Sequence, residues 1–332
     1  MTDIVSQYGI TAEGAGWAET PGRGRLRFEG RDRIAFLQAL LSNDVASLEQ
    51  GRGVYAVYLT PQGRMLADLK LYDRGEYLIA DVPAGEAASL AARLDGLIFT
   101  EDVRVSNVSA SVGQFTVVGD GADVVLARAF ALEVDAIRAL PVLSQLRAGD
   151  IFMARTDDAD LPSYDVFVDS GHTAGRRKEV IFGLEAAGAV RVSVELLDAL
   201  RIEAGRPAFG RDMTNETIPL EAGLLDRAIS TTKGCYVGQE VIVRVLHRGG
   251  GRVVKRLVKL VFPQTLEDRP QEGAVLTDGD REVGRLTSVA FSPARSGFVA
   301  LGYVHRDSSE PGRHVTVAGP AGTQAEIVGF AA

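Results

Sequence analysis

The segment Lys233-Gly234-Cys235-Tyr236-Val237-Gly238-Gln239-Glu240 divides the chain into two parts whose sequence patterns predict different architectures. Before it, helical and strand-like runs alternate. From Val253 onward every clear element is strand-like, and turn residues separate the runs at roughly regular intervals. The 332 residues exceed what one ordinary core holds, so two or three domains are expected. We therefore predict an α+β region over residues 1–248 and a small antiparallel β-barrel over 249–332.

The first part begins with a helix followed by an antiparallel meander. Residues 33–41 carry apolar side chains at helical spacing, and Asp32 is placed to cap them. Strands are predicted at 54–59 and 65–71, on either side of a hairpin loop at 60–63. In the second strand, Asp68 shares one face with Lys70, opposite an apolar face.

Two later segments carry clear helix signals. Residues 124–132 predict a helix with Asp123 as its cap. Ser193 is placed to cap a stronger helix over 194–204, which Gly205 would end. Glu203 lies in the last turn of that helix, where a negative charge opposes the helix dipole.

Cys235 is the only cysteine, so its thiol has no disulfide partner within the chain. Lys233 lies two residues before it, and in an extended segment both side chains leave the same face. An ammonium group there would favour the reactive thiolate. The alternative is that Cys235 is inert packing, because free cysteine is often buried. Gln239 and Glu240 could hydrogen-bond the turn around the thiol.

Composition excludes several classes of function. A net charge of −8 and a pI near 5.2 argue against direct nucleic-acid binding. No apolar run is long enough to span a membrane, and the N-terminus does not resemble a secretory signal. One cysteine and no targeting segment predict a reducing cytoplasm. No metal site is expected, because the spacing of the four histidines does not match a ligand pattern; they are His172, His247, His305 and His314.

The glycine run 249–251 follows His247 and Arg248 and precedes Arg252. Consecutive glycines beside cations could hold a phosphate group. They could equally form a flexible hinge between domains. The hinge is favoured, because the run lacks the strand-to-helix context of a phosphate-binding loop.

The pattern Lys-Gly-Cys-Tyr-x-Gly-Gln-Glu at 233–240 resembles the signature of YgfZ-type folate-binding proteins, relatives of the T-protein (aminomethyltransferase) of the glycine cleavage system. Strings at 59–69, 200–205, 219–224, 283–293 and 300–304 resemble T-protein blocks in the same order. The resemblance implies three lobes in a cloverleaf around a central folate channel, with a C-terminal antiparallel β-barrel. Residues 1–248 would then form two α+β lobes that are interleaved in sequence.

The resemblance also implies folate-binding residues. A pterin ring offers two adjacent N–H donors that one carboxylate can accept. Glu203 matches the glutamate of a Leu-Arg-x-Glu-Ala-Gly string that is assigned this role, whereas Asp68 matches an acid near the folate nitrogens. Without the resemblance, Glu203 would be a solvated helix-end residue and Asp68 a solvent-facing strand residue. Two departures weaken the match to T-proteins: Ala67 replaces an acid, and 229–232 lacks a basic stretch.

The function implied is tetrahydrofolate binding in support of the assembly or repair of iron–sulfur proteins, including tRNA-modifying iron–sulfur enzymes. Cys235 would be the reactive thiol and Lys233 its activating cation, and the partners would be iron–sulfur client or assembly proteins. The alternative is a folate-dependent aminomethyltransferase or demethylase of the T-protein class. A third possibility is a scaffold that binds no folate. Whether the protein is an enzyme stays open at this point.

Overall fold

The computed structural model describes residues 2–20, 22–168, 174–248, 250–318 and 322–331. Its strands form two open sheets and one closed barrel. In chain order the strands are β1 (Gly16–Glu19), β2 (Arg23–Glu29), β3 (Gly53–Leu59), β4 (Met65–Asp73), β5 (Leu78–Pro83), β6 (Arg104–Asn107), β7 (Gly113–Val118), β8 (Gln145–Ala148), β9 (Ile151–Thr156), β10 (Ser163–Val168), β11 (Val190–Arg191), β12 (Lys255–Val261), β13 (Val275–Asp278), β14 (Arg281–Ser292), β15 (Gly297–His305), β16 (His314–Val317) and β17 (Thr323–Phe330).

Helices cover the outer faces of the sheets and fill the connections. They are α1 (Thr2–Glu13), α2 (Arg33–Leu40), α3 (Ala87–Asp95), α4 (Ala122–Phe130), α5 (Val134–Arg138), α6 (Ala174–Ala186), α7 (Val194–Glu203), α8 (Leu225–Ala228) and α9 (Gln239–Arg248).

The first sheet is antiparallel, with strand order β3-β4-β5-β2-β6. Side chains alternate along β4, so Ala67, Leu69 and Leu71 pack into the core under α2 and α3. Asp68 and Lys70 consequently point to the opposite face of the sheet. That face does not meet solvent, because it turns toward the second sheet.

The second sheet has strand order β11-β1-β7-β10-β9-β8. Strand β1 pairs antiparallel with β7 and parallel with β11. The segment that forms the first sheet, 23–107, is thus inserted between two neighbouring strands of the second. Helices α4, α5 and α6 cover its outer face through a core that contains Leu126, Ile137 and Leu184.

The inner faces of the two sheets meet at an aromatic cluster. The rings of Phe152 on β9 and Phe167 on β10 stack with centroids 4.5 Å apart. Tyr72 on β4 packs edge-on against Phe167 with a centroid distance of 5.7 Å. Because aromatic pairs of this kind stabilise beyond the area they bury, this cluster holds the sheets together beside a charged cavity.

The C-terminal strands close into a six-stranded barrel of order β12-β15-β14-β13-β16-β17. Its interior is apolar and includes Leu260, Val289 and Ile327. Helix α7 packs on the outside of the barrel through Ala199 and Ile202, which lie against Leu301. The helix therefore sits between the barrel and the two sheets.

Most predicted elements are confirmed, with shifted ends. Asp32 is the N-cap residue of α2 as predicted, although without a side-chain cap bond, whereas the predicted cap Asp123 is wrong. Ser193 caps α7 by accepting a hydrogen bond from the Leu196 N–H at 3.3 Å. Asp32 makes no cap bond to α2, because its carboxylate accepts instead from the Asp102 N–H. The cap of α4 is Gly121, and Asp123 lies inside the helix with its carboxylate on Arg138.

Candidate functional site

A cavity of about 560 Å³ lies where the inner faces of the two sheets meet α7 and the segment after it. Its lining includes charged side chains of both signs. The lining acids are Asp68, Asp81, Asp158, Asp165, Glu195 and Asp198, and the lining bases are Arg23, Lys70, Arg201, Arg206, Arg211 and Arg227.

Asp68 is a buried acid on this wall, with only 5% of its surface exposed. The Tyr55 hydroxyl donates to its Oδ2 at 3.0 Å. Its Oδ1 lies 3.6 Å from the Arg23 guanidinium and has no hydrogen-bond partner among the described residues. Since buried carboxylate oxygens are normally hydrogen-bonded, this oxygen is available to a ligand.

Arg23 connects two of the buried acids. Its Nε donates to Asp81 Oδ1 at 2.8 Å, in addition to its contact with Asp68. Burial tends to lower the pKa of Arg23, but the two carboxylates outweigh burial and raise that pKa above its usual value. On the second sheet, the Gln114 amide donates to the other oxygen of Asp81 at 3.2 Å. This network links the two sheets across the cavity.

Lys70 is the centre of a second group of charged side chains. Its ammonium donates to Asp158 and lies 3.7 Å from Asp165 Oδ2. The Thr116 hydroxyl donates to Asp165 Oδ1 at 2.7 Å. Burial raises the pKa of Asp165 to about 6, although Lys70 opposes the shift. The pKa of Lys70 is also raised, because Asp158 and Asp165 outweigh the opposite effect of burial.

Arginines form the side of the cavity next to α7. Arg201 contacts Asp198 and Asp212 at 2.7 Å each. Arg206 and Arg227 both pair with Asp157, at 3.2 and 2.7 Å. Guanidinium groups held in this way can bind the carboxylates of an anionic ligand.

Glu203 is not among the side chains that line this cavity. It follows Arg201 by two residues, which on a helix is about 200° of rotation, so the two side chains leave different faces of α7. The Ser292 hydroxyl of the barrel hydrogen-bonds its carboxylate, and burial raises its pKa. Its Oε1 has no hydrogen-bond partner among the described residues. The structure therefore brings Asp68, but not Glu203, into the cavity.

Lys233 is held against the first lobe rather than in the cavity. Its ammonium donates to the backbone carbonyls of Gln38, Leu41 and Asn43 at 2.6, 2.6 and 3.1 Å. An ammonium has three N–H donors, so these carbonyls at the C-terminal end of α2 occupy all of them. Burial lowers the pKa of Lys233 to about 8, against the opposing charge of Asp44. Lys233 thus positions the segment, and its activation of the thiol stays a prediction.

Cys235 is exposed, so the interpretation as buried packing is wrong. The residues around it are irregular rather than extended. Neither Cys235 nor Lys233 lines the cavity. The structure does not bring the predicted thiol and the predicted folate-binding acids together.

Gly238 and Tyr236 anchor the rest of the segment. Gly238 has a φ of +83°, and a Cβ there would lie 2.5 Å from the carbonyl oxygen of Thr60 in the β3–β4 turn. Tyr236 is buried in a core with Val57 and Ile242. Gln239 and Glu240 begin α9, and the Gln239 N–H donates to the Tyr236 carbonyl. Glycine at 238 is therefore required by both conformation and space.

Gly250 and Gly251 follow α9, and the Gly251 N–H donates to the Val245 carbonyl at 3.1 Å. Gly249 and His172 lie outside the described residues. Within the described ranges, no three His, Cys, Asp or Glu side chains form a group that could hold a metal ion. No helix in those ranges is long and apolar enough to cross a membrane.

Sequence reasoning predicted only Asp68 among the charged residues that line the cavity, and those it missed include Arg23, Lys70, Asp81 and Asp165. Lys70 had a signal, because it shares a strand face with Asp68. The others lie on strands whose contacts join distant parts of the chain, so no local pattern marks them. A charged residue inside an otherwise apolar strand is the one local sign, as at Asp165 between Tyr164 and Val166.

Comparisons with known proteins match nearly the whole chain. Residues 3–233 match the GCVT N-terminal domain, and residues 255–329 match the glycine cleavage T-protein C-terminal barrel domain. An aminomethyltransferase of Bacillus subtilis is 25% identical over 96% of this chain and 87% of its own length. A chloroplastic putative transferase of Arabidopsis thaliana is 28% identical over 89% of this chain and 66% of its own length.

The fold is similar to that of a solved aminomethyltransferase of the glycine cleavage system from Bartonella henselae. The TM-score is 0.85 at 23% identity, over 98% of this chain and 88% of the other. This similarity confirms the predicted α+β, T-protein-like architecture with its C-terminal antiparallel barrel. With both domain models matched in sequence order, the chain belongs to the glycine cleavage T-protein family.

Proposed function

We propose that this protein binds a reduced folate in the cavity between the two sheets. The volume of about 560 Å³ falls within the range of typical small-molecule sites, roughly 300–1,000 Å³. Leu197, Leu200 and Phe209 add apolar surface for flat rings. The arginines beside α7 suit the carboxylates of the folate tail.

The observation that carries this proposal is the pair of buried carboxylates, Asp68 and Asp165, on facing walls of the cavity. A pterin presents a 2-amino group and an N3–H side by side, and one carboxylate accepts both. Asp165 offers this carboxylate inside the cavity. Asp68, whose Oδ1 has no hydrogen-bond partner among the described residues, suits the nitrogens of the reduced ring system.

Calorimetric titration with tetrahydrofolate tests the proposal and the earlier prediction for Glu203 together. Asp165→Asn keeps the shape of the side chain but turns an acceptor oxygen into a donor, so we expect at least a tenfold loss of affinity, about 1.4 kcal/mol. Glu203→Gln tests the carboxylate at the end of α7, whose Oε1 also has no hydrogen-bond partner among the described residues. Loss of binding in Glu203→Gln alone would place the pterin at the end of α7 instead. No binding by the wild-type protein would overturn the proposal.

Two activities build on folate binding. Aminomethyl transfer is supported by the names of the relatives and by Asp68, a buried acid beside the proposed folate whose Oδ1 has no hydrogen-bond partner among the described residues. It would require the aminomethyl carbon of a glycine-derived donor to form bonds to the folate nitrogens in this cavity, while the amino group leaves as ammonia and the donor's carrier group leaves with a proton. The absence of a basic stretch at 229–232 remains the argument against it.

Support of iron–sulfur proteins is the second activity, and the exposure of Cys235 favours it. The thiol lies outside the cavity on a segment fixed by Lys233 and Gly238. It is therefore reachable by an iron–sulfur client or assembly protein, including one that modifies tRNA. Folate in the cavity would then act as a ligand or reactant apart from the thiol.

Two assays on the same variants separate these activities. The first measures formation of methylenetetrahydrofolate from an aminomethyl donor, and the second measures the activity of an iron–sulfur enzyme in cells that lack this protein. Turnover that Asp68→Asn abolishes and Cys235→Ser leaves intact would favour aminomethyl transfer. Iron–sulfur enzyme activity that Cys235→Ser fails to restore, without turnover in the first assay, would favour the second activity.

A further inference from the structure

The loop between β9 and β10 carries an acid, Asp157, that bridges two arginines of the cavity. Its Oδ1 accepts a hydrogen bond from Arg227 at 2.7 Å, and its Oδ2 lies 3.2 Å from the Arg206 guanidinium. Arg206 and Arg227 line the cavity, whereas Asp157 does not. The carboxylate therefore holds the two guanidinium groups from outside the space that a ligand would fill.

The two guanidinium groups repel each other. Burial and the neighbouring charge of Arg227 lower the pKa of Arg206, and Asp157 opposes that shift. Only 23% of the Arg206 side chain and 19% of the Arg227 side chain are exposed, so water screens the repulsion only in part. A carboxylate placed between them offsets the repulsion and keeps the two cations together.

The loop keeps the Asp157 carboxylate in one place. At its base, where β9 ends and β10 begins, the buried Thr156 hydroxyl donates to the Ser163 hydroxyl at 3.0 Å. Leu161 packs against an apolar cluster that includes residues of α7. The Asp157 carbonyl also accepts from Arg206 Nε at 2.7 Å, so Arg206 is bound by both the backbone and the side chain of Asp157.

Arg227 has a second support, an aromatic ring. Its guanidinium lies over the ring of Tyr55, 5.1 Å from the centroid. Tyr55 is buried in the wall of the cavity. The ring thus supports the face of the guanidinium, while Asp157 binds its edge. Two guanidinium groups held in fixed positions can bind carboxylates with little loss of side-chain freedom.

We propose that Asp157 is a positioning residue that holds Arg206 and Arg227 side by side as the receptor for the carboxylates of a folate tail. This inference rests on the proposed folate binding and assigns a role to a residue that the ligand does not touch. Without Asp157 the two cations move apart, and a tail that binds must bring them together again, so its affinity falls. The uncharged ring system of the ligand does not contact this pair and keeps its affinity.

The test compares two ligands that share a ring system. Tetrahydrofolate carries a tail with two carboxylates, and 6-methyltetrahydropterin has no tail. Binding of both to the wild-type protein is measured by anaerobic calorimetry. We expect tetrahydrofolate to bind at least about tenfold more tightly, because its carboxylates gain charge-assisted hydrogen bonds.

Variants assign the preference to Asp157. Asp157→Asn removes the charge between the arginines and should reduce the ratio of the two affinities by about tenfold, through weaker binding of tetrahydrofolate alone. Asp157→Glu keeps the charge but moves it by one methylene group, so an intermediate ratio is expected. Asp160→Asn is the matched control, because Asp160 is exposed on the same loop and makes neither of these contacts. Circular dichroism and thermal melting check that each variant is folded.

The outcomes separate this inference from the proposed folate binding. An unchanged ratio in folded Asp157→Asn, or an equal loss of affinity for both ligands, overturns the positioning role and leaves folate binding in place. Tighter binding of tetrahydrofolate by Asp157→Asn also overturns it, because Asp157 would then compete with the tail. Equal affinity of the wild-type protein for the two ligands excludes the arginine pair as the tail receptor. Failure of the wild-type protein to bind either ligand overturns folate binding itself. If Asp157→Asn does not fold, the ratio in Asp157→Glu decides.

Discussion

The cavity and the segment 233–240 hold their functional groups in opposite ways. In the cavity, oppositely charged side chains from separate strands form ion pairs: Arg23 of β2 binds Asp81 of β5, and Lys70 of β4 lies against Asp165 of β10. The segment is contiguous, and backbone carbonyls and close packing at Gly238 hold it. In the cavity, therefore, removing one side chain leaves another charge unpaired, whereas the segment depends on local fit.

Arg23→Met tests the cavity most severely. It leaves Asp81 and Asp68 buried without their cation, and breaking a buried pair in this way costs about 3–5 kcal/mol of unfolding free energy. Urea unfolding of the variant and the wild type measures the difference. Arg31→Met is the control, because the Arg31–Asp102 pair is exposed and should contribute nothing measurable. Similar losses in the two variants would contradict the importance of burial.

Gly238→Ala tests the segment. A Cβ at this position would meet the Thr60 carbonyl at 2.5 Å, and the φ of +83° is unfavourable for alanine. We expect a loss of about 2–4 kcal/mol in the free energy of unfolding, from strain and overpacking. Gly234→Ala is the control within the same segment, because no heavy atom lies within 4 Å of its Cβ position. If both variants are equally stable, Gly238 does not fix the segment.

Asp165→Asn tests the raised pKa of this cavity residue through the pH dependence of stability. The folded-state pKa of Asp165, about 6, exceeds its ordinary value of 3.8, so the native protein holds this proton longer than the unfolded chain does. Its contribution to stability is present at pH 4 and is lost as the pH rises through 6. Over this interval, the free energy of unfolding of the wild type should fall by on the order of 2 kcal/mol relative to that of Asp165→Asn. Parallel stability curves from pH 4 to 7 would refute the shift.

Lys233→Met should have the smallest effect. The substitution removes three hydrogen bonds to carbonyls at the end of α2, but it also removes the cost of burying an ammonium group. We expect a net loss of about 1 kcal/mol in the free energy of unfolding. Urea unfolding measures it, and the rate at which Cys235 reacts with a thiol reagent shows whether the segment moves. A loss as large as that of Arg23→Met would contradict this ranking.

The same contrast explains what could be predicted from the sequence. Local signals identified α7 with its cap Ser193, and strand alternation placed Asp68 opposite the apolar face of β4. Local signals placed Asp32 correctly at the N-cap of α2, but its carboxylate binds the Asp102 N–H instead of the helix. They misplaced the cap Asp123, which lies inside α4 with its carboxylate on Arg138. A cap needs a particular backbone geometry, which residue type alone does not specify.

The cavity was less predictable, because its members meet only through tertiary contacts. Lys70 and Asp165 are far apart in sequence, and neither lies in a motif. Helix α9 was also missed, since its β-branched residues, Val241, Ile242, Val243 and Val245, have low helix propensity. The orientation of Glu203 depends on which face of α7 meets the barrel, and the helix pattern does not distinguish two apolar neighbours.

The insertion of the first sheet between β1 and β7 has a consequence for how the chain folds during synthesis. Residues 23–107 contain every strand of the first sheet, so this lobe can form from local pairings as it leaves the ribosome. Strand β1 is synthesised earlier, but it cannot pair in the second sheet until β7 has been synthesised, because Trp17 pairs with Val117. Since Trp17 is the only tryptophan, we expect its fluorescence to report this late step as a phase slower than formation of the first sheet.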